Sequence, residues 1–117
     1  MLSPDLQRIV HILEYCEDVQ KTIARFGASF EDFQADTDYQ KSISFDILQI
    51  GELTGGLSEA FRKDTADRIQ WPQVKSMRNW IAHNYGGTEL SIVWNTALTD
   101  IPALKSFCEE LLAEAES

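Results

Sequence analysis

Arg78, Asn79, His83 and Tyr85 lie within the stretch MRNWIAHNYGG at residues 77–87. An imidazole takes and returns a proton near neutral pH. A guanidinium holds a phosphate and stabilises the charge that develops on it. Together the two groups suit transfer of a phosphodiester to a ribose 2′-hydroxyl, a reaction that needs no metal. The spacing gives this reading little support by itself. On an ideal helix a five-residue step turns the side chain by ~140°, so Arg78 and His83 do not share a face. Their tips would converge across a groove, at a frayed helix end, or with help from a second subunit. An arginine–histidine pair at this distance is also common by chance.

The elements that must position these residues read as helices. Leu6, Ile9, Val10, Leu13, Cys16, Val19 and Ile23 recur at three- and four-residue steps, the mark of an amphipathic helix. Ser3 is placed to cap it, Pro4 suits its first position and Gly27 its end. Ser29 caps a short turn through Phe33. A second pattern through Ile43, Ile47, Ile50, Leu53, Leu57 and Phe61 predicts one long helix, weak or bent at Gly51, Gly55 and Gly56. Each glycine costs about 1 kcal/mol of helix propensity relative to alanine, and small residues there would let another helix come close. A loop covers 64–70. Pro72 opens a third helix with Val74, Met77 and Ile81 on its apolar face, ended by Gly86 and Gly87. The last pattern runs Val93, Ala97, Ile101, Leu104, Cys108 and Leu111, with a kink or break expected at Pro102. The acidic tail from Glu109 is expected to fray. No strand-like alternation competes. The fold expected is all-α: an antiparallel, up-down four-helix bundle with an extra short helix, in a single domain over residues 1–117.

Composition narrows the chemistry. A net charge of −9 argues against nonspecific nucleic-acid binding. The exception is segment 62–87, where Arg62, Lys63, Arg68, Lys75 and Arg78 stand against Asp64 and Asp67 only. Such a patch could receive a phosphate-bearing ligand; a chance cluster of exposed basic residues is the plainer reading. Cys16 and Cys108 are far apart and in no metal-type spacing, which favours a reducing, intracellular setting over a disulfide framework. There is no recognisable zinc site and no glycine-rich phosphate loop, so no metal or cofactor is expected. The N-terminus lacks the pattern of a signal peptide and no apolar run approaches a membrane span. The expectation is a cytoplasmic, soluble protein.

The wider stretch WPQVKSMRNWIAHNYGG resembles the signature region of the HepT-like proteins, a branch of the HEPN superfamily. The resemblance is carried by Arg78 and the polar Asn79 after it, by His83 at a short fixed gap, and by Tyr85 two positions on. It extends to the tryptophan–proline pair Trp71–Pro72, to Gly86 after the tyrosine, and to IGELTGGLSEAFR at residues 50–62. Helix order and chain length agree with it.

The resemblance implies a toxin of a two-gene toxin–antitoxin module, acting as a metal-independent endoribonuclease. It also implies a homodimer that brings two copies of the motif to a shared cleft. By carry-over, His83 would be the general base or acid, Arg78 would bind the scissile phosphate, and Asn79 would orient the site. The implied partner is an MntA-type nucleotidyltransferase antitoxin that silences the toxin by attaching AMP to Tyr85. Added negative charge beside the cleft would repel RNA. The alternative is a non-catalytic HEPN-type binding subunit of a nucleotidyltransferase complex. Each residue also has a plainer role: Arg78 paired with a helix carboxylate, Asn79 exposed, His83 stabilising a helix C-terminus, Tyr85 packed under the following loop. Glu52 reads as a solvated carboxylate, with a supporting partner of the site residues as its other reading and no place in the catalytic set; His11 reads as a surface or packing residue, and Trp71, Trp80 and Trp94 as core or dimer contacts. Whether messenger or transfer RNA is cut is open.

Overall fold

The first helix, α1, spans Pro4–Phe26 and is bounded by the local signals expected of it. The Ser3 hydroxyl accepts the Leu6 N–H at 3.2 Å and Pro4 takes the first turn. Gly27 ends the helix at φ 118°, where a side chain would be strained and its Cβ would overlap the Asp32 carboxylate. Ile9, Ile12, Cys16 and Val19 form the buried stripe. The computed structural model describes residues 2–84 and 89–116 of the chain, with the helical backbone alone for 82–84.

Helix α2 spans Phe30–Ala35, and the Ser29 hydroxyl accepts the Asp32 N–H at 3.1 Å. Asp36 then caps α3, Thr37–Gly55, by accepting the Asp38 and Tyr39 N–H groups at 3.0 and 3.2 Å. The long helix expected through Phe61 does not form. It stops at the Gly55–Gly56 pair, and a separate helix α4 occupies Glu59–Asp64. Ser58 caps α4 by accepting the Phe61 N–H at 3.2 Å. Asp5, in the first turn of α1, accepts both the Ser58 N–H at 2.8 Å and the Ser58 hydroxyl at 2.7 Å. Those two bonds hold the Asp5 carboxyl below the usual carboxylate range. The break is thus pinned by a residue 53 positions away.

Helix α5 spans Trp71–Asn84, with Pro72 in its first turn. The buried Trp71 indole N–H donates to Thr65 Oγ1 at 2.8 Å, tying the helix start to the preceding turn. After α6, Leu90–Asn95, a π-helical turn runs through Thr96–Asp100 before α7, Ile101–Glu116. Pro102 explains the irregularity. It lacks an N–H and its ring would crowd the carbonyl four residues back, so the preceding turn widens and the Ile101 N–H reaches Thr96 O. Val93, Ala97, Ile101, Leu104, Cys108 and Leu111 are all buried, as their spacing predicts. The acidic tail does not fray. Arg68 bonds Glu114 at 2.8 and 3.1 Å and Glu110 at 3.3 Å, and its guanidinium lies 5.3 Å over the Phe107 ring.

Among the described residues the fold is an all-α bundle of four long helices, with three short ones where one was expected. Helix α1 packs on α3 and α7, and α5 packs chiefly on α3. Phe33, Tyr39 and Trp94 fill one end of the core, with ring centroids 5.1 to 6.0 Å apart. The Tyr39 hydroxyl donates to Gly27 O at 2.8 Å. Cys16 and Cys108 are free and buried between α1 and α7, and burial pushes the Cys16 thiol up to about 12. Because α5 leans on α3, a largely apolar groove of about 600 Å³ is left between α5 and the 92–107 segment. Among the described residues no helix is long and apolar enough to cross a membrane.

Candidate active site on the fifth helix

The site begins with a glycine. Gly51 is buried in the interior of α3. A Cβ built there would overlap Cβ and Cγ of Arg78 and stand 3.4 Å from its Cα. Helix α5 therefore comes close to α3 at a position where α3 has no side chain, and the Arg78 stem lies in the gap. The close approach that small residues allow is realised at Gly51. At Gly55 an added Cβ would meet nothing within 4 Å.

The next residue of α3 holds the head group. Glu52 Oε1 accepts from Arg78 Nη2 in an ion pair, and Arg78 Nη1 donates to Asn79 Oδ1 at 3.1 Å. The Arg78 side chain is 34% exposed. Its guanidinium sits at the surface of the α3–α5 seam, with an α3 carboxylate on one nitrogen and the neighbouring amide on another. A guanidinium carries more N–H donors than these two bonds use. The planar fork can thus accept an external phosphate while the stem stays seated.

Glu52 is exposed, as a solvated carboxylate would be, and it also pairs with Arg78, as a supporting partner of the site would. The plainer role for Arg78, pairing with a helix carboxylate, is also realised. The signal in the sequence was Gly51 itself, an unfavourable residue in mid-helix that marks a crossing, with a carboxylate beside it.

The structure brings together Arg78, Asn79 and Glu52. His83 lies in the last turn of α5, five residues beyond Arg78, and its side chain is outside the described residues. Tyr85 lies outside them altogether. The locally positive segment is less open than its sequence suggests. Arg68 is bound to Glu110 and Glu114, Lys63 lies 3.7 Å from Glu59, and Arg78 is paired with Glu52. Three of its five cations therefore face carboxylates of the fold. His11 is exposed and bonds Glu14 at 2.9 Å. Trp71 and Trp94 are core residues, while Trp80 is half-buried along the groove. Among the described residues no group of three or more His, Cys, Asp or Glu side chains could hold a metal ion.

An all-helical bundle with an arginine and a histidine on one helix defines a broad class, and comparison with known proteins narrows it. The family described as Ribonuclease HepT-like matches residues 12–111. This chain belongs to the HepT-like ribonuclease family. A provisionally named RNase of Caldanaerobacter subterraneus subsp. tengcongensis is 32% identical over 102 residues, covering 87% of this chain and 88% of its own. A protein of Thermococcus cleftensis named probable ribonuclease HepT is 29% identical over 106 residues, 91% of each chain. A provisionally named RNase of Methanocaldococcus jannaschii is 26% identical over 108 residues, covering 90% of this chain and 84% of its own. No solved structure matches the chain.

Proposed function

We propose that the chain acts as one helical unit over residues 1–117 and is the toxin of a toxin–antitoxin module, a cytoplasmic endoribonuclease that works without metal. The observation that carries this reading is the seating of Arg78, its guanidinium presented at the α3–α5 seam on the helix that also bears His83, in a chain of a ribonuclease family.

In the reaction, Arg78 binds the scissile phosphate and His83 takes the proton of the ribose 2′-hydroxyl. The 2′-oxygen attacks phosphorus, a new P–O2′ bond forms and the P–O5′ bond breaks. The departing 5′-oxygen takes a proton back from an imidazolium of the shared cleft, leaving a 2′,3′-cyclic phosphate and a 5′-hydroxyl with no net change in protons. Charge gathering on the non-bridging oxygens is met by the guanidinium. Asn79 holds one face of that guanidinium in place. Because a five-residue step on an ideal helix separates positions 78 and 83 by ~140° of rotation, a homodimer completes the site, each copy supplying part of a shared cleft. The antitoxin of this reading is an MntA-type nucleotidyltransferase that attaches AMP to Tyr85 and so closes the cleft to RNA by bulk and charge.

The test is RNA cleavage by the full chain in excess chelator. Cleavage should persist, leave cyclic phosphate ends, and fall at least about a hundredfold in Arg78→Ala and His83→Ala, the scale of losing an oxyanion contact or a general base. Equal rates in parent and variants reject the proposal. One observation favours a second reading. Glu52 already occupies Arg78, as it would in a non-catalytic subunit that only engages the nucleotidyltransferase. That reading requires a stable complex and no cleavage at any enzyme concentration.

A further inference from the structure

The pairing of Arg78 with Glu52 has two features that a chance surface ion pair lacks. The Arg78 stem is seated apart from the ion pair, because Cβ and Cγ occupy the space that a side chain at position 51 would fill. The carboxylate then comes from the adjacent residue of the same helix, and Asn79 braces the other guanidinium nitrogen. Consecutive residues of α3 thus supply a trough for the stem and a stop for the head. The stem is packed against α3 and the head group, about a third exposed, lies at the mouth of the α3–α5 seam.

We infer that Glu52 is a positioning residue for Arg78: its carboxylate holds the guanidinium in the orientation that receives the scissile phosphate. The inference rests on the nuclease reading above. Arginine that must find its place during the reaction loses the advantage of prior orientation, and misplacement by about 1 Å can cost on the order of a hundredfold in rate. The carboxylate also has an opposing effect. It stands close to where a phosphate must lie, so it weakens ground-state attraction for RNA by like-charge repulsion. Holding the guanidinium and repelling the phosphate predict opposite changes in kcat and in binding, which a merely structural ion pair does not.

Three variants of the full chain separate these effects. Glu52→Ala removes both the hydrogen bond and the charge, Glu52→Gln keeps a hydrogen-bond acceptor without charge, and Glu52→Asp keeps the charge on a shorter stem. Single-turnover cleavage of an RNA is measured alongside anisotropy binding of the same RNA with a 2′-deoxy substitution at the cut. In Glu52→Ala the rate should fall about ten- to a hundredfold while binding is unchanged or tighter. Glu52→Gln should recover most of the rate. A Glu52→Ala rate equal to the parent, or a loss confined to binding, overturns the inference. A readout independent of activity is ¹⁵N relaxation of the Arg78 side-chain Nε–H, assigned through Arg78→Ala. It should report a rigid group in the parent and Glu52→Gln, and a mobile one in Glu52→Ala. A parent signal already as mobile as an exposed arginine also overturns it. If Arg78→Ala and His83→Ala cleave like the parent, the nuclease reading fails instead. If those two lose activity and Glu52→Ala does not, only the role of Glu52 falls.

Discussion

Asp46 sits on α3 with 7% of its surface exposed, one of few ionisable groups buried in this acidic chain. Burial, helped by the negative charge of Asp18 on α1, pushes its carboxyl up to about 7. Its ordinary value is 3.8, so between about pH 4 and pH 7 the folded state keeps a proton that the unfolded chain gives up. The folded state then binds more protons, and stability falls as pH rises through that window. After allowance for the solvent that still reaches the carboxyl, the loss is about 2 kcal/mol. Asp46→Asn should abolish it, raising the urea midpoint at pH 7.5 while leaving that at pH 4 nearly unchanged; equal shifts at both values would show that burial of Asp46 is not responsible. At this scale the sequence was partly legible. Arg78 announces itself by type and by neighbours that resemble a known motif. Asp46 and Glu52 do not, because a carboxylate in an acidic chain looks solvated until the fold places something against it.

Helices declared themselves wherever the deciding residue was local. Ser3, Pro4, Gly27 and Ser29 act on the backbone within a few positions, and each stands where its chemistry predicts. The break between α3 and α4 was not legible, since Asp5 fixes it from another helix. The ordered end of α7 was missed for the same reason: the acidic tail finds its countercharge in Arg68. The glycines of α3 allow a matched test. Gly51→Ala gains helix propensity but drives a methyl group into Arg78, and overpacking of this kind costs roughly 1–3 kcal/mol. Gly55→Ala meets open space and should stabilise by about 0.5–1 kcal/mol. Urea unfolding of both variants should give opposite signs; stabilisation by both would mean that α5 does not depend on the gap at Gly51.

Across the whole molecule, charge and connectivity pull apart. The net charge of −9 leaves little general affinity for RNA, and most of the basic segment is matched by carboxylates of the fold. Binding should therefore depend on a few placed contacts, and the slope of log affinity against log salt should be shallow, about one or two phosphates' worth. A steep slope would indicate a broad cationic surface that these ion pairs do not leave. Overall helical architecture was readable from periodicity alone, whereas the groove beside α5 was not, because a gap between helices has no residue of its own.

That gap sets how the molecule comes apart. Helix α5 is the outer stave of the barrel, glued mainly along one edge to α3, while α1 is gripped on two sides. The outer stave gives the core Trp71 and Ile81, but its packing is mainly against one neighbour, so backbone amides of α5 should exchange with deuterium before those of α1. The helix that carries the candidate chemistry would then be the first that another molecule could seize, with the remainder still folded.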